Sequence, residues 1–113
     1  QERPGTSIAS VLDWARENLD KPLTVTELAK HAGMSERTFL RRFRDGTGTT
    51  PLKWLRSERV FRAMSLLEST QMDSADIAHQ CGFGSTETFR AAFRQGSGTS
   101  PLAYRRRFDA RDG

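Results

Sequence analysis

Residues 38–54 read TFLRRFRDGTGTTPLKW, and residues 88–104 read TFRAAFRQGSGTSPLAY. In register, the two stretches share a threonine, two phenylalanines four apart, two glycines two apart and a hydroxyl residue before proline. Phenylalanines at i and i+4 fall on one helix face, so Phe39 with Phe43 and Phe89 with Phe93 are read as structural core anchors. The glycines then stop each helix, Gly46 and its counterpart Gly96 being expected just beyond the last turn. Thr50 and Ser100 are placed to cap a following helix, with Pro51 and Pro101 at its first position, where a missing N–H costs nothing.

Working outward, the duplication extends upstream. Thr24 and Glu27 have capping-box spacing ahead of a short helix over 25–31, Gly33 supplies a turn, and Ser35 caps the helix that carries Phe39. In the second copy Asp73, Ile77, Ala78, Gly82 and Ser85 take the corresponding places, with one inserted residue near Gly84. Each copy is therefore a short helix, a glycine turn and a capped second helix, the helix-turn-helix pattern in which the second helix enters the major groove of DNA. Before the first copy, Ile8, Val11, Leu12, Ala15 and Leu19 recur at helical spacing up to Pro22. Between the copies, Leu52, Leu55, Arg59, Ala63, Leu66 and Leu67 trace a stripe along a helix reaching about residue 68 and spanning roughly 27 Å. Two recognition helices on one DNA face need a separation of about 34 Å, for which such a helix is a suitable spacer.

The domain reading is a linker or tail over 1–6, a first helix-turn-helix unit over 7–54, a linker helix over 51–69, a second unit over 70–108 and a tail over 109–113. With 113 residues, 35% hydrophobic and 28% charged, the chain suits a small helical domain with modest buried volume. The net charge of +4 favours a polyanionic partner. One cysteine cannot form an internal disulfide. With no apolar run of membrane length and no signal-peptide pattern, a soluble cytoplasmic protein without a membrane partner is expected.

The runs SERTFLRRF at 35–43, GTGTTP at 46–51 and GFGS…F…F…GSGTSPLAYR over 82–105 resemble the C-terminal DNA-binding domain of the AraC/XylS family of bacterial transcription regulators. The resemblance covers about residues 7–108. It is greatest to members whose N-terminal half is glutamine-amidotransferase-like; that half is absent from this sequence. It implies an all-α fold of about seven helices, two helix-turn-helix subdomains joined by a long linker helix, and binding of successive major-groove segments of double-stranded DNA. Carried over by position, it places base contacts on Arg37, Leu40 and Arg41 in the first recognition helix and on Glu87, Thr88 and Ala91 in the second. It also suggests that Arg59, which interrupts an apolar stripe, is a partly buried structural arginine paired with a carboxylate. The family assigns effector binding and oligomerisation to the missing half, so this fragment is expected to be monomeric.

Residue chemistry suits these places. Arginine can grip guanine O6 and N7 together, glutamate can accept from cytosine N4, and leucine, alanine or a threonine methyl can touch the thymine methyl. Ser35, Arg42, Arg44, Ser85, Arg90 and Arg94 are assigned to phosphates. Four arginines lie between Ser35 and Arg44 but two between Ser85 and Arg94, so the first unit is expected to supply more of the affinity. Trp54 and Tyr104 hold equivalent places and are read as wedges for the helix that follows each unit. The alternative reading is a helical module that docks an acidic protein such as an RNA polymerase subunit. No enzyme is expected: His31, His79 and Cys81 lack a fourth ligand and zinc-finger spacing, neither glycine-rich run continues into the Lys-Ser or Lys-Thr of a phosphate loop, and no triad is grouped. No metal or cofactor is implied.

Overall fold

The computed structural model describes residues 7–112, with side-chain surroundings to Asp109, and the expected 1–6 tail lies outside them. The described residues form seven α-helices and no strand: α1 (Ile8–Glu17), α2 (Val25–His31), α3 (Glu36–Thr47), α4 (Pro51–Ser69), α5 (Ser74–Gln80), α6 (Thr86–Ser97) and α7 (Pro101–Asp112). The all-α class and the helix count agree with expectation. The chain divides into two compact units between Leu55 and Arg56, within α4. No helix among the described residues is long and apolar enough to cross a membrane.

Local hydrogen bonds set where these helices begin. The Ser35 hydroxyl accepts the Thr38 N–H at 3.2 Å and that of Ser85 accepts the Thr88 N–H at 3.1 Å, each from an extended N-cap. The Asp73 carboxylate accepts the Asp76 N–H at 2.9 Å. Thr24 accepts the Glu27 N–H at 3.1 Å, the first half of the expected capping box, and donates its own hydroxyl to Glu27 Oε1 at 3.2 Å. Thr50 and Ser100 cap α4 and α7 through the N–H groups of Lys53 and Ala103.

The turn inside each unit is a Schellman motif. Gly33 and Gly82 take φ of 70° and 84°, where a Cβ would clash with the following carbonyl. The N–H groups of Met34 and Phe83 reach back to Ala29 O at 3.0 Å and Ala78 O at 2.9 Å, satisfying helix-end carbonyls that would otherwise be orphaned.

Two expectations are corrected. The left-handed residue ending α3 is Gly48, with φ 78°, and that ending α6 is Gly98, with φ 81°; Gly46 and Gly96 lie inside the helices. The reason lies between each glycine pair. Thr47 Oγ1 donates to Phe43 O at 2.7 Å and accepts the Thr49 N–H at 3.3 Å, which carries the helix past Gly46. Ser97 makes the same bonds in the second unit. Second, Leu52 is 56% exposed and is not part of the buried stripe of α4, whereas Val60, absent from the expected stripe, is 5% exposed. α7 runs on to Asp112, into the stretch expected as a tail over 109–113.

The first core joins Val11 and Ala15 of α1, Leu28 and Ala29 of α2, Phe39 and Phe43 of α3, and Leu55 at the start of α4. The second joins Val60, Ala63 and Leu67 of α4 with Ile77, Ala78, Cys81, Phe89, Ala92 and Phe93. Trp54 meets Phe43 edge-on at 6.1 Å, and Tyr104 meets Phe93 edge-on at 5.5 Å, so the two wedges act alike on the phenylalanine pair of their own unit.

Candidate nucleic-acid interface

The roll of each recognition helix is fixed by its phenylalanines. Phe39 and Phe43 are 0% and 1% exposed, with ring centres 5.6 Å apart, and Phe89 and Phe93 are both fully buried. At 3.6 residues per turn, Arg37, Arg41 and Arg44 then fall within about 60° of one another on the side of α3 opposite that pair, with Leu40 on one flank and Arg42 on the other. All five are exposed. Leu40 is 41% exposed although apolar, which places a greasy contact beside the cationic edge.

On α6 the same construction puts Glu87, Ala91 and Arg94 on the outward side, with Arg90 and Thr88 on the flanks, and all five are exposed. The two edges are chemically unlike. Arg37 and Arg41 are matched in the second unit by Glu87 and Ala91, and Arg42 is matched by Ala92, which packs into the core. The α3 segment carries four arginines against Glu36 and Asp45, and the α6 segment two against Glu87.

Ser35 and Ser85 are exposed at the starts of these helices, but their hydroxyls already serve the caps. Each accepts a backbone N–H and donates to the threonine three residues on, Thr38 or Thr88, at 3.0 Å. A phosphate here meets the backbone N–H groups and must compete for the serine proton. Thr88 likewise has its oxygen engaged by Ser85, leaving its methyl and its own proton for a base edge.

Arg59 is half-buried in α4, and burial lowers the pKa of its guanidinium from the ordinary value. Nearby Cys81 is fully buried, and loss of solvent pushes its thiol up to about 11, so it is a neutral core group at neutral pH. No cluster of metal-ligating side chains occurs among the described residues.

Two side-chain arrangements escaped the sequence reading. Arg105 of α7 donates from Nε to Leu67 O at 3.3 Å and from Nη2 to Thr70 O at 3.0 Å, closing the C-terminal end of α4. In the first unit Thr26 Oγ1 donates to Glu36 Oε2 at 2.7 Å, linking the first turn of α2 to the first residue of α3. For Arg105 the signal was its place among three consecutive arginines, where a single inward residue cannot be told from its neighbours.

A duplicated, capped helix-turn-helix whose second helix buries phenylalanine and exposes arginine defines a double-stranded nucleic-acid reader of the helix-turn-helix class. Residues 28–107 match the family model described as a helix-turn-helix domain. The chain belongs to the AraC-type helix-turn-helix family of transcription regulators. It is 33% identical over 81 residues to the regulatory protein SoxS of Salmonella typhimurium, covering 72% of this chain and 76% of SoxS. It is 32% identical over 76 residues to the transcriptional activator RhaS of Klebsiella pneumoniae, covering 67% of this chain but 27% of RhaS. Among solved structures, it is similar to the DNA-binding domain of the global transcriptional factor AdpA, crystallised with a target DNA, at 45% identity and a TM-score of 0.89. That match covers 92% of this chain and 94% of the AdpA domain. An AraC-type regulator from Chromobacterium violaceum aligns with a TM-score of 0.84 at 28% identity over 89% of this chain and 90% of that one.

Proposed function

We propose that this chain binds double-stranded DNA in a sequence-specific manner, as the DNA-binding part of a bacterial transcription regulator. In this reading α3 and α6 enter successive major-groove segments. Arg37, Leu40 and Arg41 read bases in the first, and Glu87, Thr88 and Ala91 in the second. Arg42, Arg44, Arg90 and Arg94, with the helix starts at Ser35 and Ser85, hold phosphates, and Arg59 and the four phenylalanines are structural. The observation that carries the reading is the exposed arginine edge of α3, set opposite a fully buried phenylalanine pair. It is supported by the 45% identical AdpA domain, whose structure was solved on a target DNA. The role is binding rather than catalysis, and the proposed site is the bacterial cytoplasm.

Fluorescence-anisotropy titration of duplexes across salt tests this. A sequence reader keeps its preference for a selected duplex over a scrambled one at physiological salt, with a preference of about 10³-fold or more. Log affinity falls linearly with log salt at a slope set by the number of phosphates neutralised. A module that docks an acidic protein through the same arginines shows salt-sensitive attraction without preference, and that result would overturn the proposal.

A further inference from the structure

The bond between Thr26 and Glu36 crosses the turn of the first unit. Thr26 is the second residue of α2 and Glu36 the first of α3, ten positions on, and their contact is a short charge-assisted bond of 2.7 Å between exposed groups. The internal repeat supplies a control. The equivalent positions are Ala75, second in α5, and Thr86, first in α6, so the second unit lacks the hydroxyl at the first place and the carboxylate at the second. The cross-turn bond belongs only to the unit whose recognition helix carries the dense arginine edge.

The consequence is mechanical. A Schellman turn and a shared apolar core hold α2 against α3 in the first unit and α5 against α6 in the second, and both act on the buried side of the helices. The Schellman turn ends at Met34, just before the N-cap, and neither device holds the exposed face of the first turn of α3, whose residues lie deepest in the groove when such a helix docks. The Thr26–Glu36 bond lies at that end, next to Arg37 and one turn from Leu40. A bidentate arginine–guanine contact depends on angle, and a small tilt of α3 about its phenylalanine anchors swings Arg37 more than residues nearer the anchors. Attraction to phosphate is far more tolerant of such a tilt.

We propose that Thr26 and Glu36 form a positioning clasp that sets the angle of the first recognition helix, and with it sequence discrimination, while contributing little to general attraction for DNA. The proposal rests on the DNA-binding reading above. It assigns two positioning residues, neither of which need touch a base.

The test compares the wild-type chain with Thr26→Val, which keeps the side-chain shape and the charge, and Glu36→Gln, which keeps an acceptor for the Thr26 hydroxyl. The probes are a duplex selected from a random pool by the wild-type chain and a scrambled duplex of the same composition. Thr26→Val is expected to bind the selected duplex roughly 3- to 10-fold more weakly and the scrambled duplex unchanged. Glu36→Gln is expected to strengthen both by a similar factor, leaving their ratio unchanged. One outcome overturns the clasp: an unchanged selected-to-scrambled ratio in Thr26→Val, whether both affinities hold or both fall by the same factor, the latter making Thr26 a simple phosphate contact. A Tm measurement confirms that Thr26→Val remains folded during the assay, and should it unfold it is replaced by Thr26→Ala, which copies Ala75 of the second unit and for which the ratio must likewise fall. If the wild-type chain itself fails to discriminate, the function reading falls; if it discriminates and Thr26→Val does so equally, only the clasp falls.

Discussion

Replacing the two glycines of the GTG run in turn separates two accounts of where the first recognition helix ends. Gly48 has φ 78° and open space where a Cβ would stand, so Gly48→Ala meets no neighbour and its cost is that of the backbone alone. For a non-glycine residue in the left-handed region that is about 1–2 kcal/mol. Gly46 lies inside α3 and likewise has nothing within 4 Å of a built Cβ. Gly46→Ala therefore gains helix propensity and loses chain entropy in the unfolded state, stabilising by about 0.5–1 kcal/mol. The two variants differ by about 2 kcal/mol. Both tryptophans of the chain, Trp14 and Trp54, belong to the first unit, so their fluorescence reports unfolding of that unit. In urea, at about 1–3 kcal/mol per molar, the two midpoints separate by roughly 1 M, with Gly46→Ala above the wild type and Gly48→Ala below it. The reverse order would refute the placement of the helix end and the reasoning from φ behind it.

Arg41→Ala is expected to weaken binding of a selected duplex by about 1–3 kcal/mol and to relax preference at one base pair, read by anisotropy on single-base variants. Arg44→Ala should weaken all duplexes alike and reduce the salt slope by about 1. Removing the α4-end contacts by Arg105→Ala should cost about 1–2 kcal/mol of second-unit stability, seen by circular dichroism in denaturant and not by tryptophan fluorescence. Stability should also fall in alkali. The Cys81 pKa in the fold, about 11, lies above its ordinary 9.0, so the unfolded chain releases its proton first and stability drains away between pH 9 and 11. Cys81→Ala, which copies Ala32 of the first unit, should remove that part of the slope. The later loss from Tyr104, raised to about 12 by desolvation and its hydrogen bond to Glu68, should remain.

What could be read in advance was local. Caps such as Ser35 and Asp73 declare themselves because donor and acceptor lie three residues apart, and the phenylalanine pairs because i and i+4 share a face whatever the tertiary structure. The choice between Gly46 and Gly48 was not legible, since both are glycines and the decision rests on the Thr47 hydroxyl bonding back to Phe43. Leu52 and Val60 were misjudged for a different reason. One helix serves two cores, Leu55 in the first and Val60 in the second, and five residues apart they lie about 140° around its axis, so no single apolar stripe describes α4. The outward arginines of α3 followed once its inward face was known. The Thr26–Glu36 bond did not, because it spans ten positions across a turn and neither residue type announces the other.

The central claim is that the arginine edge of α3 reads bases, and selection from a random duplex pool at physiological salt tests it most directly. The wild-type chain should enrich two short motifs about one helical turn apart, with guanines in the motif facing the first unit, and a chain carrying Arg37→Ala and Arg41→Ala should lose that motif while keeping the other. An unenriched pool, or the same guanine motif returned by the doubly substituted chain, would contradict it.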